Sequence, residues 1–318
     1  MKIAVLDDYL NTASGMADWT GLHQAETVFF NDPLPRDPSA RAQVLLDFDV
    51  IVAMRERTPF PADLISQLPK LKLLVTTGMR NNAIDLQACQ KQGIVVSGAP
   101  GDPASANATA ELTWALILAL YKRIPKEAAA MRAGGWQSAM PVGLAGKRLG
   151  VVGLGRLGQQ VARVGKAFDM DVVAWSPNLT EERAHAAGVQ AVGKQALFAS
   201  SDIVSLHLVL SPSTEGVVDA DAIAAMKPSA TLINTARAGL VDHAALLTAL
   251  QNQAIAGAGL DVFQDEPLPP SDSLRQLDSV VLTPHLGYVS APNFQSFYGH
   301  AVEAIASWAS GSPMRVLN

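Results

Sequence analysis

The sequence predicts an α/β protein of two doubly wound parallel-sheet domains. Three observations carry this. The chain has 318 residues, enough for two domains that each bury a core. Short β-branched runs alternate with stretches of helical spacing in two series, one before residue 100 and one after residue 146. A last helical stretch, 291–310, has no strand of its own to cover, so it is expected to pack on something earlier.

In the first series KIAVL (2–6), ETVFF (26–30), DVIVAM (49–54), LKLLVTT (71–77) and GIVVSG (93–98) read as strands. Segments such as 61–68 and 83–93 read as the helices between them. Two helices, 104–121 and 125–133, a Gly-Gly-Trp turn and a loop follow. The second series holds about six strands: 147–154, 171–175, 202–208, 230–235, 254–263 and 280–285. Near-continuous apolar strands alternating with helices fit a parallel sheet covered on both faces.

Composition narrows the class. Hydrophobic residues make up 49% and charged residues 17%, which fits a globular chain and argues against disorder. The net charge is −5 with no basic run, so neither nucleic acid nor a membrane surface is expected as a partner. The longest apolar run, Leu112–Tyr121, falls short of the roughly 20 residues a membrane helix needs and reads as a buried helix. The single Cys89 cannot pair internally, and no signal-like segment opens the chain, so the expected location is cytoplasmic. No metal ligand set is assigned.

The most informative motif is GVVGLGRLGQ, in which Gly153, Gly155 and Gly158 form G-x-G-x-x-G. The glycines alone are a weak signal. Here an apolar strand precedes them and a helix (159–168) follows, which is the context of a dinucleotide site. Gly153 permits a tight turn, Gly155 lets backbone approach a pyrophosphate, and Gly158 lets helix and strand close on each other. Arg156 and Leu157 lie on the turn before that helix, whose N-terminal N–H groups and dipole favour phosphate. Such sites commonly carry an acid at the end of the next strand, against the ribose 2′-OH. This chain has Ser176 there, and the nearest arginine downstream is Arg183. Repulsion of a 2′-phosphate and attraction for it are both missing, so NAD or NADP is expected, with NAD ahead.

Ligands of open parallel sheets bind beyond the carboxyl ends of the strands. The ionisable residues there in the second series are His207, Arg237, Asp261, Asp265, Glu266 and His285. Hydride transfer to a 2-oxo acid calls for a cation on the carboxylate and carbonyl, a proton donor, and a group that holds that donor charged. Arg237 suits the first role, His285 the second and Glu266 the third. Each also fits a plain structural role alone: a cap, a strand end, a turn residue before Pro267. Beside a dinucleotide loop they read together as a site. His185, His243 and His300 lie in helical stretches and read as surface residues, His23 has no partner motif, and His207 sits within a strand and is expected to line the cofactor cleft.

Over nearly its whole length the chain resembles the D-2-hydroxyacid dehydrogenases. The segments that carry the likeness are GKRLGVVGLGRLGQQVA, SDIVSLHLVLSPSTEG, MKPSATLINTARAGLVD, AIAGAGLDVFQDEPLP and VVLTPHLG. The resemblance implies a Rossmann dinucleotide-binding domain (102–287) inserted into a discontinuous, flavodoxin-like substrate domain (1–101 and 288–318), with the active site in the cleft between them. It implies that Arg237 binds substrate, that His285 with Glu266 moves the proton, that Asp261 meets the nicotinamide carboxamide, and that Thr235 and Ala236 flank the cofactor. It also implies that TTGMRNNAID (76–85) grips the substrate carboxylate through backbone N–H groups, with Gly78, Met79 and Arg80 as contacts, and that the protein is a homodimer through the 104–121 region.

Departures from the family pattern are Arg80 where a second glycine is common, Ala238 after the arginine, Val209 for a proline, and Ser176. The chain ends soon after its last helix, so the regulatory extension of many phosphoglycerate dehydrogenases is expected to be absent, which counts against that substrate. Arg55, Arg57, Arg80, Tyr288 and Tyr298 are candidates to shape the substrate side chain. The expected activity is hydride transfer between NAD(P)(H) and a small 2-hydroxy/2-oxo acid pair. Two alternatives are a dinucleotide-sensing corepressor, which would need a partner groove and tails, and a formate-dehydrogenase-like enzyme, which would need no acid at Glu266.

Overall fold

The computed structural model describes residues 1–22 and 24–318. His23 lies outside the described residues. In chain order the elements are β1 (Lys2–Val5), α1 (Ala13–Met16), β2 (Glu26–Phe29), α2 (Pro38–Leu45), β3 (Val50–Ala53), α3 (Ala62–Ser66), β4 (Leu73–Thr77), α4 (Leu86–Lys91) and β5 (Val95–Ala99). Next come α5 (Ala108–Tyr121), α6 (Ile124–Arg132), β6 (Arg148–Val152), α7 (Arg156–Ala167), β7 (Asp171–Trp175), α8 (Glu181–Ala186), β8 (Gln190–Ala191), α9 (Lys194–Ser200) and β9 (Ile203–Leu206). The last are α10 (Ala220–Ala224), β10 (Thr231–Asn234), α11 (His243–Gln251), β11 (Gly257–Leu260), β12 (Val280–Leu282) and α12 (Ala291–Ala309). No helix among the described residues is long and apolar enough to cross a membrane.

The described chain divides into two compact units, Met1–Ala106 with Val289–Asn318, and Asn107–Tyr288. The sequence reading divides it at 101/102 and 287/288 instead. Residues 102–106 fall in the first unit, where the Asn293 side chain accepts from the Asp102 N–H at 3.0 Å and the Ser105 and Ser290 hydroxyls meet at 3.1 Å.

The first unit is a parallel sheet in the order β2-β1-β3-β4-β5, the flavodoxin-like order. Its central strands are buried along their whole length, which is why they read as unbroken apolar runs. The helix α12 supplies cover that the first hundred residues lack. Its Phe294, Phe297, Tyr298, Ala301, Ala304 and Ile305 recur at three- and four-residue spacing, are buried, and form the face that packs on β4 and β5. The chain end then returns to the sheet, with the Leu317 N–H donating to the Val96 carbonyl at 2.8 Å. His300, read as a surface residue, is half-buried, with Nδ1 2.8 Å from the Pro100 carbonyl.

The second unit is a parallel sheet in the order β12-β11-β10-β9-β6-β7-β8. The reading of about six strands misses β8. Two residues cannot display a period, and β8 forms only by pairing Gln190 and Ala191 with Val173 and Ala174 at the sheet edge. Alternate residues feed two cores, as the two-residue strand period requires. Leu149, Val151, Val172, Ala174, Ile203 and Ile233 face one core; Val152, Val173, Val204, Leu206 and Leu232 face the other. The chain enters this sheet at β6, adds β7 and β8 on one side, then crosses back to β9 on the other. The topological switch point therefore lies between β6 and β9, the place where open parallel sheets bind ligands beyond their strand ends.

Candidate active site

The glycine loop occupies that switch point. Gly153 has φ +101°, a left-handed region that disfavours side chains, and a Cβ there would lie 2.8 Å from the backbone of His207 and Leu208 just beyond β9. A Cβ on Gly158 would collide with the Gly153 carbonyl, so this glycine brings the first turn of α7 onto the loop. Gly155, the residue before Arg156, is different. A Cβ there would meet nothing within 4 Å. The chain does not fill the space over Gly155, and the α7 N-terminus with Arg156 and Leu157 opens beside it. These residues fit a bound dinucleotide pyrophosphate.

At the end of β7 the Ser176 Oγ accepts from the Leu154 N–H at 3.1 Å, tying this strand end to the glycine loop. His207 lies one residue past β9 rather than within it, and its Nε2 is 2.8 Å from the Ser205 Oγ. Burial pushes the His207 pKa down to about 4, so the ring is neutral near pH 7.

His285 follows β12 by three residues, at φ +53°, which non-glycine residues seldom adopt. Asp261, immediately after β11, holds that turn. Its Oδ1 accepts from the Thr283 hydroxyl at 2.6 Å and the Leu286 N–H at 2.7 Å, and its Oδ2 from the Gly287 N–H at 2.9 Å. Its side chain has no exposed surface, and burial raises its carboxyl above the ordinary range against those hydrogen bonds. Thr109 of α5 donates to the Gly287 carbonyl at 2.6 Å from the other side.

So held, His285 meets Glu266 across 2.6 Å between Nδ1 and Oε2. The second Glu266 oxygen accepts from the Phe263 N–H at 2.9 Å, which fixes the carboxylate plane. Tyr288 sets its ring edge-on to the imidazole, with centroids 5.4 Å apart. Arg237 follows β10 by three residues and is half-buried, with Nη1 donating to the Ala236 carbonyl at 2.7 Å. The turn that carries it is built by Asn234, whose side chain donates to the Arg237 carbonyl and accepts from the Ala236 N–H. Thr235 is buried with its hydroxyl 2.8 Å from that of Thr113. Sequence reasoning missed Thr109, Thr113, Asn234 and Thr283. Their position at strand ends or in the first turns of α5 is the one signal they carry.

In the first unit, the Gly78 N–H donates to the Ala99 carbonyl at 2.5 Å. The N–H groups of Met79 and Arg80 have no acceptor among the described residues, and both side chains are exposed. Asn81 braces this loop, donating to the Arg55 carbonyl at 2.6 Å and the Thr76 hydroxyl at 2.9 Å. Arg55 lies against Gly78, and Arg57 sits over the Tyr9 ring at 4.9 Å. Tyr298 is buried, stacked on Phe294 with centroids 5.9 Å apart, and does not shape a surface site.

Comparison with known proteins gives the site its lineage. Residues 114–287 match the sequence profile of the NAD binding domain of D-isomer specific 2-hydroxyacid dehydrogenases. The D-3-phosphoglycerate dehydrogenase of Methanocaldococcus jannaschii is 40% identical over 244 residues, 76% of this chain and 46% of that protein. The glyoxylate reductase of Thermococcus litoralis is 36% identical over 273 residues, 81% of each chain. The chain spans about half the length of the phosphoglycerate dehydrogenases it matches, 46% and 50% for two of them. Among solved structures, a phosphoglycerate oxidoreductase from Vibrio cholerae superposes with a TM-score of 0.91 at 36% identity, covering 98% of this chain and 100% of that one. The chain belongs to the D-isomer specific 2-hydroxyacid dehydrogenase family, with residues 114–287 as its NAD-binding domain.

Proposed function

We propose that this protein interconverts a small 2-oxo acid and the corresponding 2-hydroxy acid with NAD(H) or NADP(H). The observation that carries the reading is the 2.6 Å pair of His285 and Glu266 beside the glycine loop's own sheet. With Nδ1 committed to the Glu266 carboxylate, the proton that can be exchanged is the one on Nε2.

The dinucleotide would be held by Gly153, Gly155, Arg156, Leu157 and Gly158 at its pyrophosphate, and by Ser176, His207, Thr235 and Ala236 along the strand ends. When bound, its nicotinamide supplies or accepts a hydride. In the reductive direction His285 delivers a proton to the oxygen on C2 of the substrate, and Glu266 stabilises the imidazolium beforehand. Arg237 clamps the substrate carboxylate and draws charge onto the carbonyl oxygen. In the oxidative direction His285 takes the same proton back. Asp261 acts through the turn it pins, which sets the His285 ring. The free N–H groups of Met79 and Arg80 support a role for that loop in binding a carboxylate.

A second copy of the chain is the proposed partner. The segment from α6 to residue 142 exposes Ile124, Met131, Trp136, Met140 and Val142, with Trp136 at 75% and Met140 at 87% exposure, which is more apolar surface than a solvated arm needs.

The direct test is a spectrophotometric screen of 2-oxo acids with NADH and with NADPH. Oxidation of a reduced cofactor by at least one 2-oxo acid is expected. A cofactor that binds without turnover on any acid would overturn the enzymatic reading in favour of a dinucleotide sensor.

A further inference from the structure

The turn after β12 is held from two sides, by a strand end and by a helix. Asp261, just past β11, takes the Leu286 and Gly287 N–H groups. Thr109, in the first turn of α5, donates its hydroxyl to the Gly287 carbonyl at 2.6 Å. Gly287 is buried, so that carbonyl has little water to turn to instead. The N–H and the C=O of this one residue are thus both engaged. The fit around it is close as well. A Cβ on Gly287 would lie 3.2 Å from the Asp261 Oδ2 and 3.3 Å from the Thr109 Cγ2.

The two restraints act at different peptides. The Gly287 carbonyl shares its plane with the Tyr288 N–H, so Thr109 fixes the plane from which the Tyr288 ring starts. That ring stands edge-on to the His285 imidazole, with centroids 5.4 Å apart. His285 itself sits at φ +53°, a conformation that persists only where its surroundings over-determine it. Thr109 is a firm support because its own turn is anchored. Thr113, one helical turn further on the same face, donates its hydroxyl to the Thr109 carbonyl at 2.8 Å. That uses the single proton of Thr113, so Thr235 is the donor where the Thr113 and Thr235 hydroxyls meet at 2.8 Å. Three hydroxyls therefore point one way, from the end of β10 through α5 to the turn after β12.

We propose that Thr109 is a positioning residue for His285, holding the imidazole in its proton-transfer orientation through the Gly287–Tyr288 peptide. The inference rests on the proposed role of His285. Thr109 handles no proton of the reaction. It acts on the rate by restraining the side of the ring that Asp261 does not reach.

Steady-state kinetics of the full-length protein on a 2-oxo acid that it reduces, with NADH binding followed by calorimetry, test this. Thr109→Val keeps the shape of the side chain and removes the hydroxyl. It should lower kcat by about tenfold, the scale of a small misplacement of a reacting group, with KM and NADH affinity within about twofold of the parent. Thr109→Ser keeps the hydroxyl and should recover most of the lost kcat. Thr113→Val removes a more deeply buried hydroxyl from the same helix but leaves the Gly287 bond. It should cost at least as much melting temperature as T109V and less kcat. Thr109→Ala removes the same hydroxyl and replaces T109V in the comparison if that variant does not fold. Parent-like kcat without the hydroxyl, no recovery in T109S, an equal fall in T113V, or failure of both T109V and T109A to fold would overturn this inference while leaving the proposed function standing. Parent-like turnover in a His285→Ala variant would overturn both.

Discussion

At the scale of the residue, the proposed proton path runs through His285 and Glu266, whose supports are Asp261 and the Phe263 N–H. His285→Ala should cut turnover by a factor on the order of 10²–10⁴, the usual contribution of a placed acid–base group, while titration shows dinucleotide binding retained. Asp261→Asn should leave at least one of the Leu286 and Gly287 N–H groups facing an amide donor, which costs about 1–3 kcal/mol and lowers the melting temperature measured by calorimetry. His207 adds a pH dependence. Its folded pKa, about 4, lies below the ordinary value of about 6.5, so the unfolded chain binds the extra proton between them. Stability from this group is complete above about pH 6.5, declines as pH falls toward 4 and is flat below, a loss of up to about 3 kcal/mol. A His207→Gln variant should lose less melting temperature than the parent across that window.

The positions of these groups along the chain were legible in the sequence. Arg237, Glu266 and His285 follow strand ends, and strand ends are where open parallel sheets present ligand-binding groups. The use of the Asp261 carboxylate was not, because its three donors lie more than twenty residues away and converge only when β11 and β12 pair. Nor was the engagement of the Gly78 N–H with the Ala99 carbonyl, which depends on the loop after β4 turning back on β5.

At the scale of the element, the three glycines of one motif separate by what surrounds them. Gly155→Ala places a methyl in open space at an ordinary backbone conformation, so the melting temperature should hold while dinucleotide affinity falls. Gly158→Ala drives a methyl into backbone, so it should lower the melting temperature and affinity together, by several kcal/mol of stability. Equal melting temperatures for the two variants would contradict this division. Strands were easy to read here because each is a short β-branched run bounded by turn residues. The β8 pair and the start of α5 were not. β8 exists through its neighbour, and the 103–107 stretch opens as a 3-10 helix at Pro103 before the α-helix begins at Ala108.

At the scale of the whole molecule, the proposed self-association rests on the exposed apolar residues between Ile124 and Val142. Light scattering is expected to give the mass of two chains, and Trp136→Glu to shift it toward one without changing the circular dichroism of the fold. A single-chain mass for the parent protein would refute that reading. The repeated strand–helix series marked two parallel sheets, whereas the apolar stripe of α12 marked only that it packs on an earlier element; its place on β4 and β5 comes from the structure.

That place has a consequence for synthesis. Residues 107–288 form one unit from one uninterrupted segment, whereas the other unit joins 1–106 to 289–318. On the ribosome the first hundred residues emerge early but leave β4 and β5 without the helix that covers them until the last thirty arrive. The middle of the protein can therefore finish folding before its beginning does. A nascent chain stalled at residue 288 should yield a protease-resistant core of 107–288 and a digestible amino-terminal segment, the reverse of the usual amino-terminal-first order.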